Sequence, residues 1–130
     1  MKRAKHILLV DDNEVDNFIA EHLIKVKNAA EMITIKTSGV TALDFLQHQV
    51  KEMHRFPDYI FLDINMPQMD GFDFLKEFAK FPDKEKGRCR IIMLTSSEDS
   101  YDRTKAIHNP YVKKFLQKPL SDYEITDLLQ

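Results

Sequence analysis

Three acidic residues and one lysine stand where apolar runs stop, and together they could hold a hard cation and a phosphoryl group. Asp11 and Asp12 follow His6-Ile7-Leu8-Leu9-Val10, and Asp63 follows Tyr59-Ile60-Phe61-Leu62. Lys118 follows Phe115-Leu116-Gln117 and precedes Pro119, while Ile91-Ile92-Met93-Leu94 ends in Thr95-Ser96-Ser97. Asp63 is the candidate nucleophile, because a carboxylate can attack a phosphoryl group and hold it as an acyl phosphate. An anion approaching a phosphate dianion is repelled, so the attack needs a cation. Mg²⁺ suits this role, since it prefers oxygen ligands and takes few of them from protein. Asp11 and Asp12 would supply or orient those ligands. Mutual repulsion among the three carboxylates would raise one or more of their pKa values and favour metal binding. Lys118 offers a compact ammonium that can pair with Asp63 and then with phosphoryl oxygens. Thr95 can donate its hydroxyl, and the Gly71 loop with nearby backbone N–H groups is expected to add donors.

Each piece has an ordinary explanation on its own. An Asp pair after a strand is commonly turn chemistry, and a single Asp there is often a cap. Lys before Pro reads as a surface turn and Thr-Ser-Ser as a cap. The joint placement at four strand ends, in complementary roles, is what argues for a site.

The elements that must position these residues alternate short apolar runs with amphipathic segments, the pattern of βαβ units and a parallel sheet. Strands are predicted at 6–10, 32–37, 59–63, 90–94 and 112–117. The second is expected at an edge, because it is less uniformly apolar. Helices are predicted at 14–28, 39–50, about 72–81, 98–108 and from 122 to the C-terminus. Val15, Phe18, Ile19, Leu23 and Val26 form the expected inward stripe of the first helix. Ala42, Leu43, Phe45 and Leu46 do so in the second, and Phe72, Leu75, Phe78 and Ala79 in the third. Ser38 can cap the second helix, and Ser121-Asp122-Tyr123-Glu124 has capping-box spacing. Residues 82–88 read as a polar loop. In an open parallel sheet the carboxyl ends of the strands share one rim, where ligands bind. That rim would gather the four groups.

Length and composition bound the alternatives. The 130 residues, 43% apolar and 31% charged, fit one globular domain. A formal net charge of -2 gives no footing for nonspecific nucleic-acid binding. The basic stretch Lys2-Arg3-Ala4-Lys5-His6 reads as a solvated lead into the first strand. A single cysteine, Cys89, excludes an internal disulfide and reads as a small core filler. No apolar stretch reaches membrane-span length and no signal peptide is evident, so the expected compartment is the cytoplasm. His6, His22, His48, His54 and His108 lack metal-ligand spacing and read as surface or edge residues.

With Leu9-Val10-Asp11-Asp12, Leu62-Asp63-Ile64-Asn65-Met66-Pro67 with Asp70-Gly71, Leu94-Thr95-Ser96 and Phe115-Leu116-Gln117-Lys118-Pro119 in place, the chain resembles the receiver domain of two-component response regulators over its whole length. The resemblance implies a doubly wound α/β sheet of order 2-1-3-4-5 with five helices, like flavodoxin. It implies that Asp63 accepts phosphate from a sensor histidine kinase or phosphotransfer protein. Asp12 and Asp63 would bind Mg²⁺ directly, Asp11 mainly through water, and Asn65 through its backbone carbonyl. Thr95 and Lys118 would bind the phosphoryl group, Phe115 would be a switch aromatic, and Lys118–Pro119 would be cis.

The resemblance also implies a stand-alone regulator without an effector domain. It would assist its own phosphorylation and dephosphorylation rather than act as an enzyme on other molecules. Output would pass to a downstream protein through the fourth helix, fifth strand and fifth helix, a face also open to homodimerisation. Asn65 and Ser97 occupy positions that tune phosphate lifetime in that family; neither is a carboxylate, and no lifetime follows. Rival readings are an aspartyl-phosphate phosphatase, a flavodoxin-like electron carrier and a receiver-like scaffold that is never phosphorylated. Asn65 removes the phosphatase's second acid, and Asp11-Asp12-Asn13-Glu14 would repel a flavin phosphate.

Overall fold

Strands that are apolar without alternation need cover on both faces, and three strands of this chain obtain it. The computed structural model describes residues 3–52, 55–96 and 99–129. His54 and Ser97, both singled out in the sequence, lie outside the described residues. In chain order the elements are β1 (Ala4–Val10), α1 (Glu14–Val26), β2 (Ala30–Lys36), α2 (Gly39–Lys51), β3 (Tyr59–Asp63) and α3 (Gly71–Phe78). There follow α4 (Asp83–Arg88), β4 (Arg90–Thr95), α5 (Ser100–Ile107), β5 (Val112–Gln117) and α6 (Asp122–Leu128). All strand pairs are parallel, in the order β2-β1-β3-β4-β5. The buried strands β1, β3 and β4 sit at the centre, and β2 takes an edge as its weaker apolar pattern predicts.

The pleat sends alternate residues to opposite faces. Leu8, Val10, Ile60, Leu62, Ile91 and Met93 pack with Ala42 and Leu46 of α2, Phe74, Leu75 and Phe78 of α3, and Ala106 of α5. Ile7, Leu9, Phe61, Ile92 and Leu94 pack with Ala20 and Ile24 of α1 and with Ile125 and Leu128 of α6. Phe78 anchors the first layer, its ring 5.9 Å from Phe81 and 5.5 Å from Tyr111. The expected caps form: the Ser38 hydroxyl accepts from the Thr41 N–H, and Ser121 makes a reciprocal capping box with Glu124. Cys89 is buried, and desolvation raises its thiol pKa. Among the described residues, no helix is long and apolar enough to cross a membrane.

Several expectations are corrected. The inward face of α1 is Asn17, Ala20 and Ile24, whereas Val15, Phe18 and Val26 are 65%, 67% and 68% exposed. Ile19 and Leu23 are half buried, Leu23 packing on the core, but hydropathy spacing missed the centre of the inward face because it contains a polar residue, Asn17, which serves the strand end. In α3 the inward residue beside Leu75 and Phe78 is Phe74, while Ala79 ends the helix exposed and Phe72 is half buried. Residues 83–88 form a short helix rather than a loop, with Asp83 and Glu85 in its first turn and Lys86 and Arg88 in its last, the polarity the helix dipole favours. The expected fourth and fifth helices are therefore α5 and α6.

The lead-in is solvated only in part, since β1 begins at Ala4: Arg3 and Lys5 are exposed, whereas Ala4 and His6 are buried. His6 is 3% exposed. Its Nδ1 lies 2.7 Å from the Arg55 carbonyl, to which it donates, and its Nε2 lies 2.8 Å from the Thr34 hydroxyl. Burial lowers its pKa against the raising influence of that carbonyl and of Asp58.

Candidate functional site

Strand register assembles the site. Val10 pairs with Leu62, so Asp11 leaves β1 beside Asp63 at the end of β3. Asp63 pairs with Leu94, which puts Thr95 one residue further along β4. Thr95 pairs with Gln117, and Lys118 follows β5. Backbone bonds carry the ladder past the strand ends: Ile64 N–H donates to the Leu94 carbonyl at 3.1 Å, and Lys118 N–H to the Thr95 carbonyl at 2.7 Å. The Lys118–Pro119 bond is cis. Asp11, Asp12, Asp63, Thr95 and Lys118 thus meet on one rim, as the sequence predicts.

Asp11, Asp12 and Asp63 each present a carboxylate oxygen within 4.8 Å of the others. Asp11 and Asp63 are buried and Asp12 is exposed. Lys118 Nζ lies 2.7 Å from Asp11 Oδ2, 2.8 Å from Asp16 Oδ2 and 3.1 Å from Asp63 Oδ1. Three carboxylates therefore face this ammonium, and with Asp12 in the same cluster negative charge is in excess. The electrostatics follow. Burial raises the Asp63 pKa from 3.8 to about 6, with the Asp11 carboxylate adding to the rise and Lys118 opposing it. Burial works against the Lys118 ammonium, but hydrogen bonds to Asp11 and Asp16, and the charges of Asp11 and Asp63, hold its pKa above the ordinary lysine value. Both partners rise because Asp63 feels Asp11 and desolvation more than it feels the lysine.

This donor set fits a hard divalent cation, being all oxygen, clustered and under-neutralised. Asn65 is exposed in the loop two residues beyond Asp63. Thr95 is 1% exposed at the end of β4. Phe115 pairs with Met93 across β4–β5, half buried, with the Arg103 guanidinium 5.3 Å from its ring centroid.

The site contains residues that hydropathy did not flag. Asn17 donates its side-chain N–H to the Asp11 carbonyl at 2.8 Å, and the Asp11 carboxylate accepts the Asn13 N–H at 2.9 Å. The Asn13 side chain caps α1 by accepting from the Val15 and Asp16 N–H groups. The turn 11–17 is thereby fixed, and Asp16 faces Lys118. An Asn cap three residues before an acid was the available signal.

Of the donors expected from the Gly71 loop, Gly71 itself supplies none. Its N–H is committed to the Ile64 carbonyl at 2.8 Å, so it is no donor to a ligand. A Cβ there would meet the Asp63 carbonyl oxygen at 2.9 Å, Met93 Cε at 2.9 Å and Ile64 Cα at 3.0 Å. Glycine is needed because α3 starts against the backbone of the acidic residue. Asp70 caps that start, accepting the Asp73 N–H at 2.9 Å.

Similarity to known proteins adds independent findings. A family model for the response regulator receiver domain matches residues 7–130. Response regulator Rcp1 of Synechocystis sp. (strain ATCC 27184 / PCC 6803 / Kazusa) is 30% identical over 127 residues, spanning 97% of this chain and 84% of that protein. The crystal structure of a two component response regulator from Cytophaga hutchinsonii aligns with a TM-score of 0.90 at 29% identity, over 98% of this chain and 95% of that one. The crystal structure of the Mn(2+)-bound form of Rcp1 aligns with a TM-score of 0.72 at 28% identity, over 97% and 89% of the two chains.

Proposed function

This chain belongs to the response regulator receiver domain family, and from that membership we propose that Asp63 accepts a phosphoryl group from a histidine kinase or phosphotransfer protein. Phosphorylation by a histidine kinase is the function of that family. The observation that supports the assignment to Asp63 is its place in the acidic cluster at the end of β3, 3.1 Å from the Lys118 ammonium.

A carboxylate oxygen of Asp63 attacks phosphorus. The new O–P bond forms as the P–N bond of a phosphohistidine breaks and the imidazole departs with its electron pair. With a small acyl phosphate, the P–O bond breaks and a carboxylate leaves. Asp11, Asp12 and Asp63, with the Asn65 carbonyl, would hold Mg²⁺, which supplies charge neutralisation between the nucleophile and the phosphoryl oxygens. A divalent ion is present in the Mn(2+)-bound form of the relative Rcp1, which supports this reading. Lys118 pairs with phosphoryl oxygens, and the Thr95 hydroxyl donates to one of them. Phe115, on the strand beside β4, responds to Thr95 by repacking. The protein thus assists its own phosphorylation and dephosphorylation.

Output passes through α5, β5 and α6 to a partner protein in the cytoplasm, as a shift between pre-existing states. Tyr101, Ile107 and Tyr123, exposed at 69%, 62% and 76%, give that face apolar contact area, which self-association could also use. The test is incubation with acetyl phosphate or a histidine kinase, with and without Mg²⁺. Intact mass should rise by one phosphoryl group in the wild type when Mg²⁺ is present, and stay unchanged in Asp63→Asn.

A further inference from the structure

A lysine ammonium has three N–H donors, and at Lys118 three carboxylates surround it: Asp11, Asp16 and Asp63. A phosphoryl group on Asp63 would bring new acceptor oxygens, so at least one present partner must yield. The three are not equally replaceable. Asp11 is held by Asn13 and Asn17, and its side chain is 7% exposed. Asp63 carries the arriving group itself. Asp16 hangs from the first turn of α1 with its side chain 32% exposed, so water can take over its hydrogen bond. Asp11, Asp16 and Lys118 line one side of a small hollow whose other walls include Leu9, Phe61 and Leu94.

We propose that Asp16 is a positioning residue: it holds Lys118 in the unphosphorylated protein and releases it to the phosphoryl oxygens on Asp63. Asp16 thereby biases the protein against its phosphorylated state. A ligand shifts an equilibrium only through differential contacts, and this contact exists in one state alone. The role rests on Asp63 being the phosphoacceptor.

The test measures binding of trifluoroberyllate, a tetrahedral phosphoryl mimic, in the presence of Mg²⁺ by ¹⁹F NMR. The proteins are wild type, Asp16→Asn and Asp16→Glu. Asp16→Asn should bind about two- to fivefold tighter, the range for losing one partly exposed ion pair. Asp16→Glu, which keeps the carboxylate, should return towards wild type. The ratio between Asp16→Asn and wild type should shrink as ionic strength rises from about 0.02 to about 0.5 M, because the pair is screened. A purely structural Asp16 would not produce that salt dependence. Equal or weaker binding by Asp16→Asn overturns the proposal while the phosphoacceptor reading stands. A wild type that binds no trifluoroberyllate and gains no phosphoryl mass refutes the phosphoacceptor reading, and the role of Asp16 with it.

Discussion

Replacing Asp63 by Asn should stabilise the metal-free protein, by an amount that depends on pH. Burial and the Asp11 charge raise the Asp63 pKa from 3.8 to about 6. At 1.36 kcal/mol per pH unit, that rise corresponds to about 3 kcal/mol of penalty for the ionised group in the fold. That penalty is already net of the attraction of Lys118, which keeps Asp11 and Asp16 when the amide replaces the carboxylate. A net gain of about 1–3 kcal/mol follows, several degrees in Tm for a chain of this size. The sign is set by linkage. Between 3.8 and about 6 the folded state binds the Asp63 proton more tightly than the unfolded state does. Stability from this group is therefore complete below 3.8 and lost as pH rises through about 6.

Urea melts in EDTA at pH 4 to 8 should show the variant's advantage near zero at the acid end and full by about pH 7. His6 works in the opposite sense, since its lowered pKa costs stability as pH falls below 6.5, but it cancels in the difference between the two proteins. An advantage independent of pH, or an amide less stable than wild type at pH 8, would refute the electrostatic reasoning.

Lys118→Gln should have the reverse character: it leaves Asp11, Asp16 and Asp63 without the ammonium. It should cost about 1–3 kcal/mol in EDTA at pH 8, largely restored by millimolar Mg²⁺ in the same melts. Gly71→Ala should cost about 1–3 kcal/mol in urea, because its Cβ meets backbone at Asp63 and Ile64. His6→Ala removes the partner of the Arg55 carbonyl and of the half-buried Thr34 hydroxyl and should cost about 1–3 kcal/mol. It should also remove the stability lost below pH 6.5, seen as a flatter acid limb in the melts. Phe78→Ala opens the aromatic layer and should cost about 3–5 kcal/mol by the same assay.

The central strands and the residues ending them were legible because burial on both faces leaves uninterrupted apolar runs, and an acid or lysine terminates each run visibly. A parallel sheet puts those strand ends on one rim, so Asp11, Asp63, Thr95 and Lys118 could be assigned to it, while the strand order that makes them neighbours came from the resemblance to receiver domains. The helix surfaces were harder. The exposed Val15, Phe18 and Val26 mimic a core stripe, while the true inward face of α1 carries Asn17 because the Asp11 carbonyl needs a donor. Asp16 was hidden for the same reason: its partner, Lys118, lies 102 residues away. His6 looked like a surface residue, since only the folded chain brings Thr34 and the Arg55 carbonyl to its two nitrogens. The helix at Asp83–Arg88 was masked by its Gly87 and its uniformly charged composition.

The central claim is that one carboxylate, Asp63, becomes the acyl phosphate. Protein treated with acetyl phosphate and Mg²⁺ can be reduced with borohydride, which converts a phosphorylated aspartate to homoserine, and then mapped by peptide mass spectrometry. Homoserine at position 63, dependent on Mg²⁺, is the predicted result. Homoserine at position 11, 12 or 16 instead, or at none of the four after treatment that does add phosphoryl mass, would contradict it.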